Sequence, residues 1–128
     1  MSQGIADTSV FIARESGRAL DTDALPDELA VSIITIAELR AGVLVADTVD
    51  ARDRRLRTLT AALALDPIPV DEAVAAQWAR LRVHLRDTGQ RMPVNDSWIA
   101  ATAMAHDVPV ATQDDDFPSV EGLTVIRV

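Results

Sequence analysis

The residues of this chain best suited to chemistry are acids at four separated places: Asp7, Glu38, Asp96 and the run Asp114-Asp115-Asp116. Each follows an apolar run of strand length or opens a helical pattern, so all four can face one edge of a sheet. Clustered carboxylates repel one another, and unaided some of them take up protons. A hard divalent cation resolves the conflict, because Mg²⁺ or Mn²⁺ takes oxygen ligands and keeps several waters. Zn²⁺ is disfavoured: there is no cysteine, and the two histidines, His84 and His106, read as surface residues. A carboxylate-held Mg²⁺ acts on phosphate esters, where it polarises the phosphoryl oxygen, ionises water and stabilises the leaving oxygen. Thr8, Ser9 and Thr112 add hydroxyls nearby. With no histidine placed as their base, they read as ligand-orienting groups or caps, not as covalent nucleophiles.

Each acid also has a purely structural explanation. Asp7 could cap the helix that starts at Thr8. Thr35-Ile36-Ala37-Glu38 fits a capping box, with Glu38 reaching back to the Thr35 N–H. Asn95 and Asp96 could cap and charge a helix start, and Asp114–Asp116 could form a solvated turn. Caps do not require convergence, however, and the chain contains no lysine to neutralise acids gathered at one place.

The elements that must position these acids can be read from periodicity. Gly4-Ile5-Ala6 is a short strand running into Asp7, followed by a helix over Thr8–Glu15. Ser16–Glu28, polar and carrying Pro26, is loop or short helix. Leu29–Ile34 is a β-branched run of strand length, and Thr35–Ala46 a helix with Glu38 in its first turn. Val49–Leu65 is a helix with Val49, Leu56, Leu59 and Leu63 on one face, stopped by Asp66-Pro67. Ile68-Pro69-Val70 is a short extended piece. Asp71–Thr88 is the clearest helix, with Val74, Trp78, Leu81 and Leu85 spaced +4, +3, +4 and Gly89 as its terminator. Val94–Asp107 is another helix, with Asp96 in its first turn. Val108–Thr112 and Leu123–Val128 are the remaining strands. Strands separated by helices imply an α/β domain with a mainly parallel central sheet flanked by helices.

Composition bounds the function classes. The 128 residues suit one domain spanning 1–128, and 48% hydrophobic content supports a core. The absence of cysteine removes disulfides and thiolate chemistry. No secretory signal is recognised, and no apolar run approaches the ~20 residues of a membrane span. A cytoplasmic protein without membrane attachment is therefore expected. The net charge is −8, and all twelve basic residues are arginine. That balance argues against a non-specific nucleic-acid binder and suits a protein that holds cations or meets a basic partner.

Four ordered blocks carry a family resemblance: Asp7-Thr8-Ser9, Ile34-Thr35-Ile36-Ala37-Glu38-Leu39, the stretch Pro93-Val94-Asn95-Asp96-Ser97-Trp98-Ile99-Ala100-Ala101-Thr102-Ala103, and Val110-Ala111-Thr112-Gln113-Asp114-Asp115-Asp116-Phe117 followed by Gly122-Leu123-Thr124-Val125-Ile126. In these the chain resembles PIN domains, and specifically the VapC toxins of bacterial toxin–antitoxin pairs. The resemblance implies a PIN-like fold and an Mg²⁺-dependent ribonuclease, with Mn²⁺ able to substitute. Carried over, Asp7 and Asp96 are the principal metal ligands, Glu38 holds metal or its water, and an acid after Thr112 completes the site. It also implies homodimers and a small VapB-type antitoxin whose basic C-terminal segment enters the acidic cleft. The last block is compressed relative to many family members. Asp114 matches by its distance from Thr112, and Asp116 by its place before Phe117. Asp114 is the favoured site residue, Asp116 its neighbour, and Asp115 the one expected to face solvent.

An acidic toxin would be neutralised by a basic antitoxin segment, with long-range attraction speeding encounter. RNA binding must then use local arginines, for which Arg14, Arg40 and Arg91 are the candidates. The region from Ile36 to Leu65 offers apolar helix faces, with Leu44, Val45 and Val49 at the turn between helices; most of it is expected to be core, and part could form a groove for an antitoxin helix. Two rivals remain. A Mg²⁺-dependent phosphotransfer or phosphatase domain also gathers aspartates at strand ends, but such folds generally place a lysine at the phosphate. A non-catalytic α/β binding module would use the acids only as caps. A nucleotide-binding module is disfavoured, because the glycines form no phosphate-binding pattern.

Overall fold

The computed structural model describes residues 1–128 as nine elements: β1 (Gln3–Ala6), α1 (Thr8–Ser16), β2 (Glu28–Ala30), α2 (Ile33–Leu44), α3 (Val49–Leu63), α4 (Glu72–Thr88), α5 (Val94–Ala105), β3 (Val110–Thr112) and β4 (Val125–Arg127). The four strands form one sheet in the order β2-β1-β3-β4, and every pairing is parallel. Parallel neighbours require crossovers, which the helices supply. No helix is long and apolar enough to cross a membrane.

Alternation along β1 sets the layers, because successive strand side chains point to opposite faces. Ala6 joins Val10 and Phe11 of α1, Ile36 and Leu39 of α2, and Leu59 and Ala62 of α3 in one buried cluster. Ile5 joins Val110 of β3 and Ile99 and Ala103 of α5. Outside α5, Leu81 and Leu85 of α4 close on Met92, Ala100 and Val120. Helices α1–α3 thus cover one face of the sheet, and α4 and α5 the other. Gly4 lets β1 pass close to its neighbours: a Cβ there would lie 2.7 Å from the Pro26 ring and 3.2 Å from the Pro109 carbonyl oxygen.

Helix α4 matches its sequence pattern. Asp71 caps it by accepting from the Val74 N–H at 2.9 Å, and Gly89 ends it in the left-handed region at φ 68°. Residues Arg18 to Asp27 contain no regular element, as their polarity predicts.

The run Leu29–Ile34 is the largest departure. It is not one strand: β2 stops at Ala30, and α2 already begins at Ile33. Ser32 is the N-cap, its Oγ accepting from the Ile34 N–H at 3.1 Å. The extended piece around Ile68 pairs with Ser32, taking the Ile33 N–H on its carbonyl at 2.9 Å and donating to Val31 at 2.8 Å. The first-turn donor is satisfied from outside the helix, so two β-branched residues can be helical against their propensity. The capping box at Thr35–Glu38 consequently does not form, and Glu38 lies in the second turn of α2, not the first.

Helix α3 also departs from its expected face. Leu59 and Ala62 are buried, whereas Val49 is 81%, Leu56 48% and Leu63 39% exposed. The helix packs along a narrow strip, held to α2 by Arg55, which donates to the Gly42 carbonyl at 2.7 Å. Helix α5 ends at Ala105, and the last two strands, Val110–Thr112 and Val125–Arg127, are shorter than the apolar runs that contain them.

Candidate metal centre

The carboxyl ends of β1 and β3 lie side by side, and the chain leaves them through Asp7 and through Thr112 toward Asp114. Ligands of open parallel sheets bind at this edge. A cleft there brings Asp7, Glu38, Asp96 and Asp114 together, with Thr8 and Ser9 in its wall and Ile12 and Arg18 beside them. A wider groove lies elsewhere, bordered by Arg80, His84, Met104 and Glu121. No comparable set of carboxylates or imidazoles converges there, so size is a poor guide to the chemistry.

Asp7 is 1% exposed, and hydroxyls hold it. Its Oδ2 accepts from Ser9 Oγ at 2.7 Å and from Thr112 Oγ1 at 2.9 Å. Each hydroxyl in turn accepts a backbone N–H, Ser9 from Gln113 at 3.0 Å and Thr112 from Asp114 at 2.9 Å. Both hydroxyl protons are therefore committed to Asp7. The other oxygen, Oδ1, is buried with no partner. Although Asp7 occupies the N-cap of α1, its side chain makes no capping hydrogen bond. A buried, unpaired carboxylate oxygen is costly unless something positive meets it.

Glu38 is held from the same side. Thr8 Oγ1 donates to its Oε1 at 2.7 Å, and Thr8 lies 2.9 Å from Thr35 Oγ1. Because the single Thr8 proton goes to Glu38, Thr35 is the donor of that second bond. Thr35 is fully buried.

Asp96, Asp114 and Asp116 form the other half. One oxygen from each lies within 4.8 Å of the others. Asp96 stands in the first turn of α5, whose N-cap position is Pro93 and carries no side-chain cap. Burial, and after it the charges of Asp7, Asp114, Glu38 and Asp116, push the Asp96 pKa up to about 7. Asp114 is also raised, by burial first, then by Asp7 and Asp116, while Arg127 opposes the shift. Asp115 turns outward and pairs with Arg127, its side chain 87% exposed. Helix α4 braces α5 beside Asp96: Trp78 Nε1 donates to Ser97 Oγ at 3.0 Å, and the Trp78 and Trp98 rings stack 4.3 Å apart.

Residues 5–123 match the family model of the PIN domain. The chain belongs to the PIN-domain family. This PIN domain is 50% identical over 125 residues to Ribonuclease VapC5 of Mycobacterium tuberculosis, covering 98% of this chain and 93% of that protein. It is 45% identical over 127 residues to Ribonuclease VapC4 of the same organism, covering 98% and 97%. Its backbone superposes with a TM-score of 0.91 on a chain of the VapBC-5 toxin–antitoxin structure from Mycobacterium tuberculosis, at 46% identity and 100% coverage of both. The PIN domain is thus of the VapC type.

The three arginines considered for RNA lie at different distances from the acidic cleft. Arg14 borders a separate groove with Val10, Phe11 and Leu25. Arg40 is exposed on α2, two residues past Glu38 and so on another side of the helix. Arg91 lines a groove with Asp115 and Asp116, next to the acidic cluster. Neither Arg14 nor Arg40 lines the acidic cleft, whereas Arg18 does. Arg18 lies in the irregular segment after α1, and only the glycine preceding it hinted at a turn toward the sheet edge.

Proposed function

We propose that this PIN domain is a Mg²⁺-dependent endoribonuclease, the toxin of a type II toxin–antitoxin pair, and that Asp7, Glu38, Asp96 and Asp114 are its working carboxylates. The observation that carries the metal is the Asp7 Oδ1 atom, buried and unpartnered beside three further acids. Carboxylate oxygens with no sulfur or imidazole among them suit Mg²⁺, with Mn²⁺ as substitute. Asp7, Asp96 and Asp114 would hold the cation, Glu38 would hold it or its water, and Asp116 stands beside them. The bound cation supplies Lewis acidity toward the phosphoryl oxygen and makes a water nucleophilic.

The chain's own groups provide the orientation. Ser9 and Thr112 lock Asp7 so that one oxygen is engaged and the other presented. Thr8, itself braced by Thr35, does the same for Glu38. With its pKa pushed up to about 7, Asp96 is partly protonated at neutral pH in the absence of a cation, so cation binding at this site would displace that fraction of a proton. The module in which acids serve only as caps is disfavoured, because neither Asp7 nor Asp96 caps its helix and Glu38 bonds to Thr8.

Relatives named as ribonucleases, and a structural neighbour described as a toxin–antitoxin member, support extending the reading to RNA and to an antitoxin. The antitoxin would present a basic C-terminal segment to the acidic cleft, and the exposed Leu44, Val45 and Val49 would form part of the groove for its helix. A homodimer in the cytoplasm completes the proposal. The test is to express the chain alone and map new RNA 5′ ends, with Asp7→Asn as control. Cleavage should stop in EDTA and return with Mg²⁺ or Mn²⁺. Unchanged cleavage in EDTA would remove the metal mechanism.

A further inference from the structure

We propose that Arg18 is a phosphate-binding residue of the RNA track, holding a backbone phosphate next to the one that is cut, with Ile12 against the adjoining nucleotide. The inference rests on the ribonuclease reading above and adds to it the place where the polymer is gripped.

Arg18 is the cation in the wall of the acidic cleft. It shares that cleft with four carboxylates, yet it makes no ion pair. The arginines that do pair with acids are Arg54, Arg57, Arg86 and Arg127. Its side chain also makes no hydrogen bond within the protein, so its donors are free for a ligand. The backbone that carries it is nevertheless fixed. Gly17 takes the left-handed conformation at φ 74°, and the Arg18 N–H returns to the Ala13 carbonyl at 2.8 Å, closing the end of α1. The next carbonyl, of Ala19, accepts from Gln113 Nε2 at 3.1 Å. Gln113 also donates its backbone N–H to Ser9, which holds Asp7. The segment bearing Arg18 is thus tied to the strand end that leads into Asp114.

Ile12 adds a second, apolar element. It lies one turn beyond Thr8 on α1 and is 44% exposed at the cleft. An open isoleucine beside a free guanidinium suits a nucleotide, whose phosphate takes a forked donor and whose base presents a flat face. The electrostatics require such a grip. A chain of net charge −8 repels RNA, and a local cation beside the acids holds the strand without neutralising them.

The experiment is steady-state cleavage of mixed-sequence single-stranded RNA in Mg²⁺ over a salt series. It compares wild type with Arg18→Ala, Arg18→Lys, and Arg57→Ala as a charge-loss control on another helix, each variant first checked by thermal melt. Arg18→Ala should raise KM about tenfold and leave kcat within about twofold. It should also reduce the slope of log kcat/KM against log salt by about 0.7, the share of one phosphate contact on a single strand. Arg18→Lys should recover part of both, and Arg57→Ala should match wild type. If Arg18→Ala keeps wild-type KM and salt slope while wild type cleaves, the inference fails and the ribonuclease reading stands. Wild type that does not cleave RNA overturns both.

Discussion

The two halves of the acidic cleft are built on opposite terms. On one side, Asp7 and Glu38 are gripped by Ser9, Thr112, Thr8 and Thr35 in a buried hydroxyl network. On the other, Asp96, Asp114 and Asp116 crowd together, and the first two are raised by burial and mutual repulsion. The first half is held by hydrogen bonds in the free protein, whereas the second is held under mutual electrostatic repulsion. If the proposed cation binds here, the rigid half would define where it sits, and the crowded half would supply the negative potential that attracts it.

The contrast can be broken at the rigid half first. Asp7→Asn should lower RNA cleavage by more than the roughly 10- to 100-fold expected for loss of a group that only orients a ligand, with the fold retained by circular dichroism. Near-normal turnover would end the assignment of Asp7. Thr112→Val should fall within that 10- to 100-fold range. It should also cost about 1–3 kcal/mol of stability, because the buried Asp7 oxygen loses a donor and the Asp114 N–H its acceptor. A denaturant melt that matches wild type would show that the network is dispensable.

The crowded half gives graded effects. Asp114→Ala should reduce cleavage more than Asp115→Ala, which only frees Arg127 at the surface and should change stability by less than about 0.5 kcal/mol. The reverse ranking of rates would reassign the cluster.

The smallest effect concerns stability. A carboxyl whose folded pKa is raised, here from 3.8 to about 7, favours the folded state below its unfolded pKa. That contribution is lost as the pH climbs through the folded value. Metal-free protein should therefore lose stability across that window, and saturating Mg²⁺ should restore it. Asp96→Asn removes the penalty. With a discount for the half-exposed position, it should raise the metal-free melting temperature above neutral pH by a few degrees, about what 1 kcal/mol does in a domain this size, while cleavage is lost. An unchanged or lower melting temperature above pH 7 would contradict the repulsion picture.

Legibility in the sequence follows the same division. Asp7 was readable because a polar residue ends a short apolar strand, and Asp96 because Pro93 and the alanine-rich stretch mark a helix start. The order of strands and helices followed from periodicity, and so did the parallel sheet. What escaped depended on contacts distant in sequence. Ile33 and Ile34 are helical because the Ile68 carbonyl, far along the chain, takes the first N–H. Thr35 looks like a cap but is a buried brace for Thr8. Arg18 follows a glycine turn that the sequence hints at, but the Gln113 bond that ties its segment to the cleft is encoded by no local pattern. Among the three adjacent aspartates the solvent-facing place of Asp115 is expected from spacing alone, but its cause, the pairing with Arg127, is not.

The stacked pair Trp78 and Trp98 has an optical consequence. They are the only tryptophans, and the chain has no tyrosine, so the near-ultraviolet emission of the whole protein comes from one spot. Trp98 lies two residues from Asp96, and Trp78 donates to the serine between them. The molecule therefore carries its own lamp beside the carboxylates. A paramagnetic ion such as Mn²⁺ entering the cleft would dim it, and occupancy could be followed by titration without label, substrate or turnover.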